Sequence, residues 1–382
     1  MDTVISPSGP TALPKLNAEE LGSGIVAHQR KARFAGSTPE QWAERLCALI
    51  ASQPGIAGPI EVRNVRPVGA AAGGSNGTML FDAGYVVEGE SREEPLVLRF
   101  LPAAKLFHHY DVRGQFVLQR SLAATDVPVP PQYWLDEFGE YLTVAGYVMG
   151  QVAGTSTPMT WKASGLLVDA TPDVRRRMTM GYVKALARIH AADWRALGLQ
   201  WLEGRAAGDR PIEREVNWYW DSLTWAAVGN YVEELTPIRD WIVANEPDDV
   251  DVVLCHGDAN LGNYLFDDGE LTAVVDWEMA FLGPPECDVS FLRVGDEILQ
   301  DDVPCPEGAL TYDEIYAEYE RISGRTLRHM PYFELFTAFR SAIISILAMK
   351  HFPAEVLEQF LPVLERSVML CVERARGLMS EI

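Results

Sequence analysis

The sequence predicts an α+β protein in two parts, a small antiparallel-sheet unit followed by a mainly helical one. Three observations carry this. Residues 60–100 alternate apolar and polar side chains and are rich in β-branched and aromatic types, the texture of strands. After Gly154, helix-length apolar periodicity dominates. A single β-rich interruption, Val252 to Trp277, lies among those helices and carries polar residues where its strands end. With 382 residues, 48% hydrophobic and 23% charged, the chain is composed like a folded protein and can bury one or two cores. The expected divisions are an extension over 1–35, a sheet unit over 36–149 and a helical unit over 150–382.

Ser37-Thr38-Pro39-Glu40 supplies an N-cap, a first-turn proline and a capping-box glutamate for a helix. That helix carries Trp42, Leu46, Leu49 and Ile50 at helical spacing, and Gly55 can end it. Strands are expected to start at Ile60-Glu61-Val62, over Thr78–Val87 and over Leu96–Phe100, with residues 88–94 as the turn between the last two. A helix over Val112–Ala123 is stopped by Val127-Pro-Val-Pro-Pro131. Extended pieces follow at Tyr133–Asp136 and Tyr141–Met149. In the second unit, helices are expected over Arg175–Ala192, Arg214–Leu235, Tyr312–Ile322, Tyr332–Lys350 and Ala354–Leu378.

Charge and cysteine usage narrow the partners. The formal net charge is −22, which repels nucleic-acid backbones and anionic membranes at long range. A neutral or cationic small molecule is the compatible partner, and neither nucleic acid nor membrane is expected. Five scattered cysteines without a CxxC pair point to neither a disulfide framework nor a zinc site. The N-terminus lacks the charged start and apolar run of a signal peptide. The apolar stretch Ala342–Met349, between Arg340 and Lys350, is far short of a bilayer span. A cytoplasmic monomer or homodimer is the expectation. Only six of the 32 basic residues are lysines, so a role that usually falls to lysine can fall to arginine here.

The chemistry concentrates in Cys255-His256-Gly257-Asp258-Ala-Asn260-Leu-Gly-Asn263 and in Val275-Asp276-Trp277-Glu278. The turn Asp267-Asp268-Gly269 folds the second strand back, gathering Asp258, Asn263 and Asp276. Any one of these residues alone is more often a turn cap. Together they form three hard oxygen donors without cysteine or paired histidine, a set that suits Mg²⁺, which binds phosphate oxygens as well. His108, His109 and His190 lack the spacing of a metal site, and packing is the commoner role for such residues. Trp161, Trp218 and Trp220 are candidates for an acceptor pocket, with a place in the core the commoner alternative.

HGDxxxxN followed thirteen residues later by DWE resembles the aminoglycoside phosphotransferase and choline kinase group, which shares the protein-kinase fold. The segments Leu186–Asp193, Gly283–Val289 and Tyr319–Arg325 resemble the branch of that group found beside acyl-CoA dehydrogenase domains. The resemblance covers roughly residues 60–350. It implies a two-lobed protein-kinase-like fold and a small-molecule kinase moving the γ-phosphoryl group of ATP, or GTP, with Mg²⁺ to an acceptor hydroxyl. The acceptor would be a metabolite or an aminoglycoside-like compound. Asp258 would accept or orient the hydroxyl proton; Asn263 and Asp276 would hold the metal. His256 and Asp288 would brace the loops, and Glu278 would hold either a metal-bound water or a hydrogen bond in its loop. Ser75, Asn76 and Gly77, in the glycine-rich turn, would contact phosphates. Tyr147 and Met149 would form the hinge whose backbone reads the base. Arg99 stands where the group has its strand lysine, and Gln115 where it has the partner glutamate, so an Arg99–Gln115 hydrogen bond would replace the ion pair. That departure motivates a second reading, a nucleotide-binding pseudokinase with a regulatory or scaffold role. A metal-dependent hydrolase fits poorly, since no three-ligand cage is evident.

Overall fold

The structure is a computed structural model that describes residues 37–67, 77–102, 105–227, 231–349 and 354–380. Ser75 and Asn76 lie outside the described residues.

A helix, α1 (Pro39–Ala51), opens the described chain. Its N-cap is Thr38, and Gln41 rather than Glu40 closes the capping box, because the third helical position counted from Thr38 is residue 41. Five antiparallel strands follow: β1 (Ile56–Pro67), β2 (Gly77–Val87), β3 (Glu90–Phe100), β4 (Gln132–Asp136) and β5 (Gly146–Gly150), in the spatial order β1-β2-β3-β5-β4. Helix α2 (Val112–Leu122) connects β3 to β4. Alternation along β3 sorts the two faces. Leu96, Leu98 and Phe100 join the core under α1 with Trp42, Leu46 and Ile50. Val97 packs with Val112 and Phe116 of α2 and with Tyr147 and Met149 of β5.

Two expectations for this half are corrected. The β2–β3 turn shrinks to Glu88-Gly89, since residues 90–94 continue in register with β2. Residues 141–145 are turn rather than strand, because Asp136 at the end of β4 accepts the N–H groups of Glu140, Tyr141 and Leu142 at 2.7–2.9 Å and curls the chain there.

The rest is mainly helical, with β6 (Thr155–Ser156) opening it and short α3 (Leu166–Asp169) next. Helix α4 (Pro172–Ala191) follows. The expected single helix over 214–235 is two, α5 (Pro211–Ala226) and α6 (Tyr231–Ala244), with Ala227 at φ 52 ending the first. The β-rich segment holds β7 (Val253–Cys255), β8 (Tyr264–Asp267), β9 (Glu270–Val274) and β10 (Phe281–Gly283). Strand β7 pairs with β10, and β8 lies between β6 and β9. Helices α7 (Glu286–Val289) and α8 (Phe291–Leu299), which periodicity did not reveal, come next, then α9 (Tyr312–Ser323), α10 (Met330–Met349) and α11 (Ala354–Met379). By length and composition α10 could cross a membrane, yet 78% of its most apolar window is buried in this fold, where it packs on α11 and α5. It begins twelve residues ahead of Ala342, carrying buried Glu334 and Arg340.

Candidate active site

Strand β7 aims the chain at the junction of the two halves and releases it at His256. Gly257 turns it there at φ 84, and a Cβ at that position would collide with the Met279 carbonyl, so only glycine fits. Two buried charges grip this peptide from opposite ends. Asp288 accepts the N–H groups of His256 (2.6 Å) and Gly257 (2.9 Å), and Arg340 Nη1 donates to the Gly257 carbonyl (3.0 Å). Asp288 is held in turn by His190 Nε2 (3.1 Å), whose Nδ1 meets the Tyr319 hydroxyl (2.8 Å). The three outlying motifs of the sequence therefore converge on one carboxylate beneath the HGD turn. Burial disfavours the Asp288 charge, but the hydrogen bond from His190 and the Arg340 guanidinium act against it, and the pKa lies below the ordinary 3.8.

Asp258 is tied on both oxygens. Asn260 Nδ2 donates to Oδ1 (2.6 Å) and Asn263 Nδ2 to Oδ2 (2.8 Å). The Asn263 amide nitrogen also reaches the Asp258 carbonyl (2.9 Å), which turns its Oδ1 away from Asp258. Burial pushes the Asp258 pKa above 3.8, and the charge of Asp276 adds to that. His256 accepts the Asp258 N–H on Nδ1 (3.2 Å) and donates from Nε2 to the Val275 carbonyl (2.9 Å). A neutral ring protonated on Nε2 satisfies both bonds, and it ties the HGD turn to the residue before Asp276. Asp276 itself sits in the left-handed region, φ 67 and ψ 59, at the head of the turn Trp277–Met279 that carries half-buried Glu278.

From the sheet half, Arg99 crosses the junction. Its Nη2 donates to Asp276 Oδ1 (2.6 Å) and its Nη1 to Thr78 Oγ1 (3.2 Å). The expected Arg99–Gln115 bond is not among its hydrogen bonds. Gln115 Oε1 instead accepts from the Tyr147 hydroxyl (3.4 Å), and Gln119 donates to that hydroxyl (3.2 Å). Tyr147 stands directly opposite Arg99 on β5 and comes between the arginine and α2. Tyr147 and Met149, the expected hinge residues, both lie inside β5, paired to β3 on one side and β4 on the other. Gly77 opens β2 opposite Phe100, whose ring fills the space a Cβ would need.

The remaining candidates are packing residues. Trp161, Trp218 and Trp220 are buried in the helical half, with the Trp161 indole donating to Asp296. His108 bonds Ser222, and His190 serves Asp288. His190, Cys255 and Asp288 offer three ligand atoms within 4.8 Å, but His190 and Asp288 are spent on each other and the Cys255 thiol donates to the Gly283 carbonyl. Sequence reasoning missed Arg340. Its visible signal is an arginine inside a strongly apolar helical stretch, which must find buried acceptors.

With this geometry in hand, comparison with known proteins places the chain. It belongs to the phosphotransferase enzyme family, whose sequence profile matches residues 79–332. Among curated relatives, the protein named probable acyl-CoA dehydrogenase IBR3 of Arabidopsis thaliana is 28% identical over 71% of this chain and 34% of its own. Acyl-CoA dehydrogenase family member 11 of Gallus gallus is 27% identical over 72% of this chain and 32% of its own. The chain thus spans about a third of the length of the relatives it matches. A Ralstonia eutropha JMP134 structure provisionally classed as an aminoglycoside phosphotransferase superposes with a TM-score of 0.64 at 22% identity, covering 87% of this chain and 98% of that one. Choline kinase from Cryptosporidium parvum gives 0.55 at 11% identity, covering 83% and 90%. These likenesses establish the two-lobed kinase-like fold.

Proposed function

We propose that this protein is a small-molecule kinase that transfers the γ-phosphoryl group of ATP, with Mg²⁺, to the hydroxyl of a small acceptor. The observation that carries the reading is the meeting of Asp258, Asn263, Asp276 and Arg99 where the sheet half faces the helical half. Sheet and helical parts act as lobes dividing near residues 149 and 150, with the nucleotide between them. Asp258, fixed by two amides and made more basic by burial, orients the acceptor hydroxyl and takes its proton. Asn263 Oδ1 and the Asp276 carboxylate are hard oxygen donors, which fits them to hold Mg²⁺. When bound, Mg²⁺ neutralises phosphate charge during transfer. Arg99 grips a phosphate through its planar fork, and the Gly77 backbone serves a phosphate oxygen.

The acceptor class is the open part of the reading. A structural neighbour, aminoglycoside phosphotransferase APH(4)-Ia, TM-score 0.52, was solved with AMP-PNP and hygromycin B. Others are choline and ethanolamine kinases, and the curated relatives are named acyl-CoA dehydrogenases. A panel of aminoglycosides, amino alcohols, sugars and hydroxyacyl thioesters, read for phosphate gain by mass, therefore tests the proposal. Asp258→Ala should lower transfer by about 10²–10⁴-fold while nucleotide binding persists. Failure to bind any nucleotide with Mg²⁺ sinks the kinase reading. Binding without transfer across the panel favours the pseudokinase, whose motive is the Arg99 and Gln115 pair of departures.

A further inference from the structure

Helix α2 holds no carboxylate. It reads VRGQFVLQRSL from Val112 to Leu122, and Asp111 ahead of it is spent accepting the Gly114 N–H at 2.7 Å. Beside the apolar Val112 and Phe116, the polar side chains it sends toward the sheet are Gln115 and Gln119, both buried and both bonded to the Tyr147 hydroxyl. Thr78, Arg99 and Tyr147 form a cross-strand row on β2, β3 and β5, so the neighbours of Arg99 along the sheet are neutral. Its counter-charges come from the other side of the junction, Asp276 at 2.6 Å and Glu278 nearby. An arginine pinned by a helix carboxylate would have its charge satisfied within the sheet half. Arg99 has its charge answered by the very carboxylates that face the phosphates.

A guanidinium carries five N–H donors in one plane, so it can keep a carboxylate on one edge and take a phosphate oxygen on another. Here Nη2 holds Asp276 Oδ1, while Nη1 rests on a threonine hydroxyl, a weaker acceptor than a phosphate oxygen. A cation joining that carboxylate to phosphate oxygens is what a divalent metal would supply at the same place. We propose that Arg99 is a built-in cationic bridge between Asp276 and the nucleotide phosphates, so that this protein binds ATP without a divalent metal and uses the metal for transfer. The inference rests on the nucleotide-binding reading above and concerns how that site holds its charge.

The test is calorimetric titration of the whole chain with AMP-PNP, once with Mg²⁺ and once with EDTA. Binding is expected in both, with Kd values within about tenfold of each other. Gln115→Glu restores a carboxylate beside the Tyr147–Arg99 pair. It should weaken binding in EDTA by about tenfold or more, and change binding with Mg²⁺ by less than about threefold. Arg99→Lys, which keeps the charge and loses the fork, should show the same selective loss and serves if Gln115→Glu does not fold. Wild-type binding with Mg²⁺ but none in EDTA at millimolar AMP-PNP overturns the proposal. So does a variant that weakens both conditions equally. Binding in neither buffer removes the nucleotide reading itself, and the bridge with it.

Discussion

At the scale of single residues, the site is legible where its partners are close in sequence and hidden where they are not. Asp258 and Asn263 share one turn, and His256 carries the link from that turn to the strand before Asp276. Arg340 meets Gly257 across 83 residues and binds backbone carbonyls, which leave no mark on a sequence pattern. Tyr147, expected to offer backbone to a base, also carries a side-chain role that no pattern announces: its hydroxyl joins Gln115 and Gln119 of α2. The pKa of Asp258 has a kinetic consequence. A carboxylate must be ionised to take a proton, and burial with Asp276 nearby raises this one above 3.8. Activity therefore falls as pH drops through that raised value, so the acid limb of kcat/KM should appear above pH 3.8. A pH–rate profile with a transferable acceptor checks this; an acid limb at or below pH 3.8 would contradict it. Arg340→Met tests the other grip on the loop. It leaves the Gly257 and Cys287 carbonyls buried without their donors, each worth about 1–3 kcal/mol, so urea unfolding should show a loss of several kcal/mol. A loss below about 1 kcal/mol would mean the loop does not depend on it.

Elements were readable where a period ran long and misread where a single side chain overrides it. The apolar stripe of α1 and the alternation of β2 both appear in the fold, since each buries its predicted face. Residues 141–149 look uniformly extended because Tyr, Thr and Val favour strands. Asp136 defeats that preference by accepting three successive N–H groups, an arrangement in which one carboxylate makes a turn for the chain that follows it. Helices α7 and α8 were missed for a similar reason: buried Glu286, Asp288 and Asp296 interrupt the apolar pattern, although each has its own hydrogen-bond or charge partners. Asp136→Ala removes the acceptor for those N–H groups and frees the β4–β5 connection. Because charged acceptors contribute about 1.5–3 kcal/mol each and neighbouring bonds are not additive, the expected loss is about 2–4 kcal/mol. Hydrogen exchange at Glu140, Tyr141 and Leu142 should accelerate in the variant before exchange in β2 does, and uniform acceleration would argue against a local turn.

For the whole molecule, the informative contacts are those that bind one half to the other. Arg99 and Asp276 are 177 residues apart, and their pair closes the sheet half onto the helical half beside Asp258. The acid excess extends to this place: two aspartates, one glutamate and one arginine meet there, a negative balance suited to a divalent cation that carries phosphate. A ligand that touches both halves must stabilise the folded state as a unit, because the unfolded chain presents no such site. At a concentration a hundredfold above Kd that linkage is worth about 2.7 kcal/mol. Unfolding entropy of about 2.1 cal/mol/K per residue gives a 382-residue chain about 0.8 kcal/mol/K, so saturating Mg²⁺–AMP-PNP should raise Tm by about 3 °C. Asp258→Ala should keep that shift, since its carboxylate serves the acceptor. Asp276→Ala should lower the starting Tm by leaving Arg99 without its partner, and should reduce the shift to below about 1 °C. An undiminished shift in Asp276→Ala would place the nucleotide somewhere other than the junction that Arg99 and Asp276 close.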